Sequence, residues 1–307
     1  MITVGPIQSV EKNPTHSQRD DRLRSILTSG PGLTWMLCFL FVPLLAVVGI
    51  SFLTRGEYGE IGLPLTLDNY RRLLGFGMLG FDPLYPAILI RSLVLGLTTA
   101  SLCMLAALPL CFFIGRLPRG WSTAALILIV IPFWTNLLIR TYAWQILLSP
   151  GGWICRLAQI PGWISPETGL YPGVPAILIG MVCDFLPFMV LPLYASVEKI
   201  DWCLAEAAVD LGANRHQVFR HAILPQIAPG LAAGWVLVFL PATGQFVIPD
   251  LLGGAKTTML GNLIQQQFAA SRDWPFGAAI SFVALLLVMA GLWIRRAKQA
   301  WEEEGLL

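Results

Sequence analysis

Residues 196–225 read SVEKIDWCLAEAAVDLGANRHQVFRHAILP and lie between two long apolar segments. The first part of this stretch predicts a helix, because Asp201 is a good N-cap and the residues after it are good helix formers. Gly212 stands where a residue in the left-handed conformation ends a helix. Asn214, with Gln217 three residues later, predicts the start of a second helix through a capping box. We therefore expect two short helices that meet at a glycine corner.

The apolar segments on either side of this loop belong to a series of six. A helix needs about 20 mostly apolar residues to cross a bilayer, and continuous rather than alternating apolar runs indicate helices. The predicted spans are 33–53, 92–114, 121–145, 172–194, 229–250 and 276–295. Polar tails, 1–32 and 296–307, flank them. The loop between the fourth and fifth spans is 196–228, and we expect Pro225 and Pro229 to close it.

The amino-acid composition also indicates a membrane protein. Of 307 residues, 56% are hydrophobic and only 12% are charged, about half the usual charged share of a soluble domain. These values exclude an ordinary soluble enzyme and a disordered chain. The net charge of +2 gives no indication of nucleic-acid binding. We predict an all-α membrane protein with six transmembrane helices.

Positive charges predict the orientation of the spans, because Lys and Arg accumulate in cytoplasmic loops. The short loop 115–120 contains Arg116 and Arg119. The loop 196–228 contains three more bases, and each tail contains several. We therefore place these loops and both termini in the cytoplasm.

The loop also contains a recognisable motif. Glu206-Ala207-Ala208, followed by Gly212 and by Leu224-Pro225, resembles the EAA motif of bacterial ABC importer permeases. One position departs from the pattern, since Ala222 stands where that family usually has Ile. The resemblance implies the MetI-like architecture of type I ABC importers, with a cytoplasmic EAA coupling helix that docks on an ATPase subunit. It assigns ATPase coupling to Glu206, Ala207, Ala208, Asp210, Gly212, Arg215 and Arg220. The alternative interpretation is an ordinary amphipathic loop helix.

Further segments narrow the family. PFWTNLLIRTYAW (132–144), LPFMVLPLY (186–194), FVIPDLLGG (246–254) and RDWP (272–275) resemble segments of the spermidine/putrescine permeases. This resemblance implies a bacterial inner-membrane subunit that works with a second permease, two cytoplasmic ATPase subunits and a periplasmic binding protein. ATP and Mg would bind to the ATPases, and no cofactor would bind to this chain. An opine, an amino-acid derivative or a phosphonate is the alternative solute, and an ion-driven secondary transporter is the rival class.

Polar groups inside the predicted spans are candidates for a solute path or gate. Asp184 lies near the middle of the fourth span, where a charge costs about 2.5–3.5 kcal/mol. It would either face a cationic solute or make a structural hydrogen bond. Asp250 and Gln245 belong to the fifth span, Asp250 close to its outer end. Gln245 would either line a path or bond across helices.

Aromatic side chains gather near the outer end of the third span. Trp134, Tyr142 and Trp144 would either attract ammonium groups or form an interfacial aromatic belt. Arg140 in the same segment would repel a cation. We expect it to extend outward, or to pair with an acid such as Asp250.

Catalytic signatures are absent from the sequence. It contains no HExxH or GxSxG motif and no CxxC pair, and Gly253–Thr258 lacks the spacing of a phosphate-binding loop. We therefore predict a non-catalytic permease subunit without a metal site, served by a separate ATPase.

Overall fold

The computed structural model describes residues 14–56, 59–77, 80–160, 169–254 and 257–304. The helices in the first part of the chain are α1 (Pro14–Ser51), α2 (Asp68–Leu73), α3 (Leu84–Gly115), α4 (Arg119–Val130), α5 (Leu137–Leu148), α6 (Trp153–Gln159) and α7 (Val174–Val197). They are followed by α8 (Trp202–Asp210), α9 (Arg215–Val218), α10 (Leu224–Gly244), α11 (Val247–Leu252), α12 (Leu260–Ala269) and α13 (Trp274–Glu304). Small antiparallel hairpins, β1 (Thr54–Arg55) with β2 (Ile61–Gly62) and β3 (Phe76–Gly77) with β4 (Gly80–Phe81), connect α1 to α3. The predicted all-α membrane fold is confirmed.

Three long helices, α3, α7 and α10, pack against one another and form the core. Their contact faces combine fully buried apolar side chains such as Met181, Met189 and Val238 with small residues. Small residues let membrane helices approach closely. Gly230 and Gly234 of α10 lie directly against Pro192, Ser196 and Met189 of α7, with no space for a larger side chain. The helix α1 lies outside this core and packs along α13.

The third predicted span, 121–145, is not one straight helix. The segments Arg119–Trp134 and Leu137–Leu157 meet at an angle of 95°. Between α4 and α5 the chain forms a 3₁₀ turn, Ile131–Trp134, because Pro132 has no N–H for a continuing helix. Asn136 then starts α5 by accepting a hydrogen bond from the Leu138 N–H at 2.8 Å. Within the described residues, five helices are long and apolar enough to cross a membrane, or six if the bent pair counts as one span.

The fifth predicted span, 229–250, differs from the observed helix at both ends. The helical segment Arg215–Gly244 passes through Pro225 and Pro229, so these prolines do not close the loop. A π-helical turn, Phe219–Ile223, precedes α10, and the Leu224 N–H donates to the Phe219 carbonyl oxygen. A widened turn of this kind lets a helix continue past a residue that cannot donate. At the other end α10 stops at Gly244, and Asp250 belongs to the separate short helix α11.

The connection between α1 and α3 is held against the last span, α13. The Arg72 Nη1 atom lies 2.9 Å from the Asp273 Oδ2 atom, and Asp273 is buried. The Arg72 guanidinium also lies 4.1 Å from the centre of the Phe276 ring. The hairpins and α2 are therefore held against the start of α13. The predicted N-terminal tail, 1–32, is helical from Pro14 onward, and the predicted C-terminal tail, 296–307, is helical as far as Glu304. Residues 1–13 and 305–307 lie outside the described part of the chain.

Candidate functional site

The predicted coupling segment forms a compact helical unit between α7 and α10. Asp201 caps α8, since its Oδ1 atom accepts a hydrogen bond from the Cys203 N–H at 3.0 Å. Ala205 is buried on the inner face of α8, which packs on the π turn and on α9. The cap predicted at Asp201 is confirmed.

Gly212 forms the corner between α8 and α9. Its φ angle is +83°, a conformation that residues with a Cβ atom adopt at a cost. The Gly212 N–H donates to the Val209 carbonyl at 2.8 Å and the Ala213 N–H to the Ala208 carbonyl at 3.0 Å. These two bonds are the Schellman pattern that ends a helix, so the predicted glycine corner is confirmed.

Asn214 and Gln217 start α9 as predicted. The Gln217 N–H donates to the Asn214 Oδ1 atom at 3.0 Å, and the Asn214 N–H donates to the Gln217 Oε1 atom at 2.9 Å. The second helix is longer than expected, because α9 continues through the π turn into α10. The corner is consequently joined to a core helix without an intervening flexible loop.

The outer surface of this unit mixes apolar and charged side chains. Leu204, Val209 and Leu211 are exposed, Leu211 to 89%. The charged residues assigned to coupling are exposed as well, and in the described part of the chain none of them forms an ion pair; they are Glu206, Asp210, Arg215 and Arg220. Ala207 is exposed and Ala208 is half-buried. An apolar patch rimmed by unpaired charges is typical of a protein–protein contact surface.

Asp184 lies buried in the middle of α7 and forms an ion pair with Arg140 of α5. Arg140 also donates from Nη1 to the Pro132 carbonyl oxygen at 2.7 Å, and its guanidinium lies 5.9 Å from the centre of the Phe133 ring. Arg140 therefore pairs with an acid, as one of the two expectations had it, but the suggested partner Asp250 is wrong, because the bend of the third span directs Arg140 to Asp184. Sequence reasoning missed this pair, since it treated the span as straight.

A groove of about 600 Å³ runs beside this ion pair, between the bent third span and α7. Its lining is mostly apolar and includes Trp144, Cys183 and Pro187, with the Arg140 side chain at its wall. Trp144 is partly buried and packs on the main core, whereas Trp134 is 81% exposed and Tyr142 is also exposed. The three aromatic residues therefore have different surroundings and do not form one cluster.

The remaining path candidates lie after the end of α10. Asp250 is exposed in the first turn of α11, and it makes no ion pair in the described part of the chain. Gln245 is half-buried, and its Oε1 atom accepts a hydrogen bond from the Phe246 N–H at 3.0 Å. Since α11 packs against both α5 and α7, these residues belong to the same half of the molecule as the Arg140–Asp184 pair.

Comparisons with known proteins agree with this architecture. Residues 23–301 match the family described as binding-protein-dependent transport system inner membrane component. The spermidine/putrescine transport system permease protein PotB of Escherichia coli is 44% identical over 255 residues, which are 83% of this chain and 90% of PotB. The permease protein PotC of the same system is 34% identical over 92 residues, 30% of this chain and 35% of PotC.

A solved structure shares the fold. The crystal structure of a bacterial alginate ABC transporter in complex with an alginate pentasaccharide-bound periplasmic protein contains a chain that matches with a TM-score of 0.62. The match covers 91% of this chain and 95% of that chain at 20% sequence identity. The family match covers most of the chain, and the likeness to PotB extends over 83% of it. The chain therefore belongs to the family of inner membrane components of binding-protein-dependent transport systems.

Proposed function

We propose that this chain is one of two permease subunits of an ATP-driven importer for a polyamine of the spermidine or putrescine type. The observation that carries the proposal is the 44% identity to PotB over 255 residues. That likeness covers 83% of the chain and 90% of PotB, so it extends over most of both proteins. The partial similarity to PotC supports a second permease of the same family as the partner.

The coupling unit, residues 201–226, is the proposed docking surface for one of two cytoplasmic ATPase subunits. Exposed apolar residues such as Leu204 and Leu211 would enter a cleft of the ATPase, and Glu206, Asp210 and the two arginines would pair with charges at its edge. ATP and Mg bind to the ATPases in this proposal. When ATP binds, the two ATPase subunits would close and move α8 and α10 together. The movement would be shared because the Gly212 corner joins α8 to α9, and α9 continues into α10.

The outer segment between α1 and α3 is the proposed contact for a periplasmic binding protein. It exposes several large apolar side chains, among them Leu63, Leu65, Phe76 and Phe81. The ion pair between Arg72 and Asp273 holds this segment against the start of α13. Because the segment is already held in place, binding a partner would cost little free energy for ordering it. In this arrangement the chain lies in the bacterial inner membrane with both termini in the cytoplasm.

The path residues take distinct roles in the proposal. Asp184 is neutralised by Arg140, so we assign it to a gate between the bent third span and α7 rather than to a free cation site. Asp250 is exposed, which leaves its carboxylate available to an ammonium group. Gln245, Trp134, Tyr142 and Trp144 remain candidates for the wall of the path.

The solute is tested in cells that lack their own polyamine permeases. Such cells would express this chain with its second permease, ATPase and binding protein, and uptake of radiolabelled putrescine and spermidine would be measured. Unlabelled polyamine should compete, whereas an opine, an amino-acid derivative or a phosphonate should not. If one of these compounds competed and unlabelled polyamine did not, that compound class would be assigned as the solute instead of a polyamine. As a coupling control, Glu206→Lys should insert normally and lose uptake, because it reverses a charge on the docking surface.

A further inference from the structure

The two ends of the coupling unit are bonded to each other by one side chain. The Asp201 N–H donates to the Gln226 Oε1 atom at 2.8 Å, across 25 residues of sequence. The Gln226 Nε2 atom donates to the Ala222 carbonyl oxygen at 2.7 Å, and the Asp201 carbonyl oxygen lies 3.5 Å from it. Gln226 thus bridges the start of α8 and the base of α10. We call this bridge the neck of the coupling unit.

Each end of the neck is attached to a core helix. On one side, Ile200 is buried and its N–H donates to the Val197 carbonyl at the end of α7, so Asp201 follows α7 through a tight turn. On the other side, Gln226 belongs to the first turns of α10 and also bonds the π turn through Ala222. The neck therefore connects α7, α8 and α10 at one point.

Packing alone fixes α8 weakly. Ala205 is the buried residue of α8, and the other eight residues of this nine-residue helix are exposed or half-buried. An element with so little buried apolar area depends on its hydrogen bonds to stay in register with its neighbours. The bonds made by Gln226 hold α8 at the end nearest the membrane core. Without them, a force on α8 would tilt it about the neck.

We propose that Gln226 is a positioning residue for energy coupling, which closes the neck so that a displacement of α8 reaches α7 and α10 together. This inference rests on the proposed function, since it assumes that an ATPase moves α8. Gln226 touches neither ATP nor solute in this role. It determines how much of the movement arrives at the core helices, and therefore how much solute is transported for each ATP hydrolysed.

The test compares three variants in vesicles that contain the complete transporter. Gln226→Met keeps the length of the side chain and removes its donor and acceptor. Gln226→Glu keeps an acceptor for the Asp201 N–H. Gln265→Met makes the same exchange at an exposed position of α12 and is the matched control. We measure the ratio of putrescine taken up to ATP hydrolysed, together with the melting temperature in detergent.

The ratio should fall about fivefold in Gln226→Met, as expected for the loss of hydrogen bonds at the neck. It should recover in part in Gln226→Glu and stay unchanged in Gln265→Met. A purely structural role would lower uptake and ATP hydrolysis in parallel and leave the ratio constant, and this result would overturn the proposal. Wild-type vesicles without ATP-driven uptake would instead refute the proposed function itself.

A distance measurement covers the case in which Gln226→Met fails to fold. Exchanging Cys38 and Cys183 for Ser leaves Cys203 of α8 as the exposed cysteine among the described residues. A second spin label is introduced by Ala228→Cys in α10. In the otherwise wild-type transporter the distance between the two labels should stay constant when ATP binds. A change of more than about 2 Å, the scale of a helix shift, would show that the neck bends and would overturn the proposal.

Discussion

At the scale of single residues, local chemistry was predictable and tertiary pairing was not. The capping roles of Asp201, Gly212 and Asn214 depend on backbone groups within a few residues of each, so the spacing alone predicts them. The partner of Arg140 depends on the direction of α5, and the sequence around a single residue does not give the direction of a helix. Asp184 was recognised as costly inside a span, but its counter-charge comes from another helix.

The corner residue gives a direct prediction. Gly212→Val should lower the free energy of unfolding by about 1–2 kcal/mol, because a branched side chain is strained in the left-handed conformation. Among the described residues, no atom beyond its chain neighbours lies within 4 Å of the position that a Cβ would take, so the strain comes from the local backbone and not from packing against another element. Gly212→Asn should therefore retain most of the stability, as Asn tolerates this conformation. Thermal melting in detergent measures both variants, and equal losses would contradict the assigned role.

The buried ion pair gives a second prediction. Arg140→Met leaves the Asp184 carboxylate buried without its partner and should cost about 3–5 kcal/mol of stability. The double variant Arg140→Met/Asp184→Leu removes both charges and should recover much of the loss. The exposed pair between Arg71 and Asp68 is the control, because breaking it should cost less than about 1 kcal/mol. A double variant as unstable as Arg140→Met would disprove the pairing.

At the scale of helices, apolar runs locate the spans but do not show where a helix bends or continues. The predicted spans overlap α1, α3, α7 and α13, but α1 begins at Pro14 rather than at 33 and α3 at Leu84 rather than at 92. The third span bends because Pro132 and Asn136 end one helix and start another, and both residues were visible in the sequence. The π turn before α10 was not foreseeable, because the proline at 225 is compatible with either a loop end or a widened turn.

The contact between α7 and α10 can be tested at Gly234. Gly234→Leu forces a side chain against Met189 and should destabilise the fold by about 1–3 kcal/mol through overpacking. Gly49→Leu in α1 is the matched control, because among the described residues no atom outside its own stretch of helix lies within 4 Å of its Cβ position. Melting temperatures of the purified variants measure the difference. If both variants melted alike, the close packing of the core helices would be refuted.

At the scale of the whole molecule, composition and charge predicted the class of protein. The scarcity of charged residues indicated a membrane protein, and the described helices together with the family match agree with this. The path was not predictable from one sequence, since its walls depend on which helix faces meet a second subunit. The mixed charges of loop 196–228, by contrast, correctly marked an exposed and structured unit.

The predicted orientation can be measured with a membrane-impermeant maleimide. Cys203 is exposed on α8 and should react in inside-out vesicles but not in spheroplasts. Leu63→Cys, at a position that is 81% exposed and predicted to lie outside, should show the opposite pattern. The other exposed cysteines, Cys38 and Cys183, are replaced by Ser beforehand. Labelling of Cys203 in spheroplasts would place the coupling unit outside and would contradict its contact with an ATPase.

The most direct test of the central claim is uptake by purified components in sealed vesicles. The vesicles contain this chain, its second permease and the ATPases, are loaded with ATP, and receive binding protein and labelled putrescine from outside. Ionophores collapse every ion gradient. Uptake should require hydrolysable ATP, persist with the ionophores and disappear in Glu206→Lys. Uptake by this chain alone, driven by an ion gradient and independent of ATP, would contradict the account.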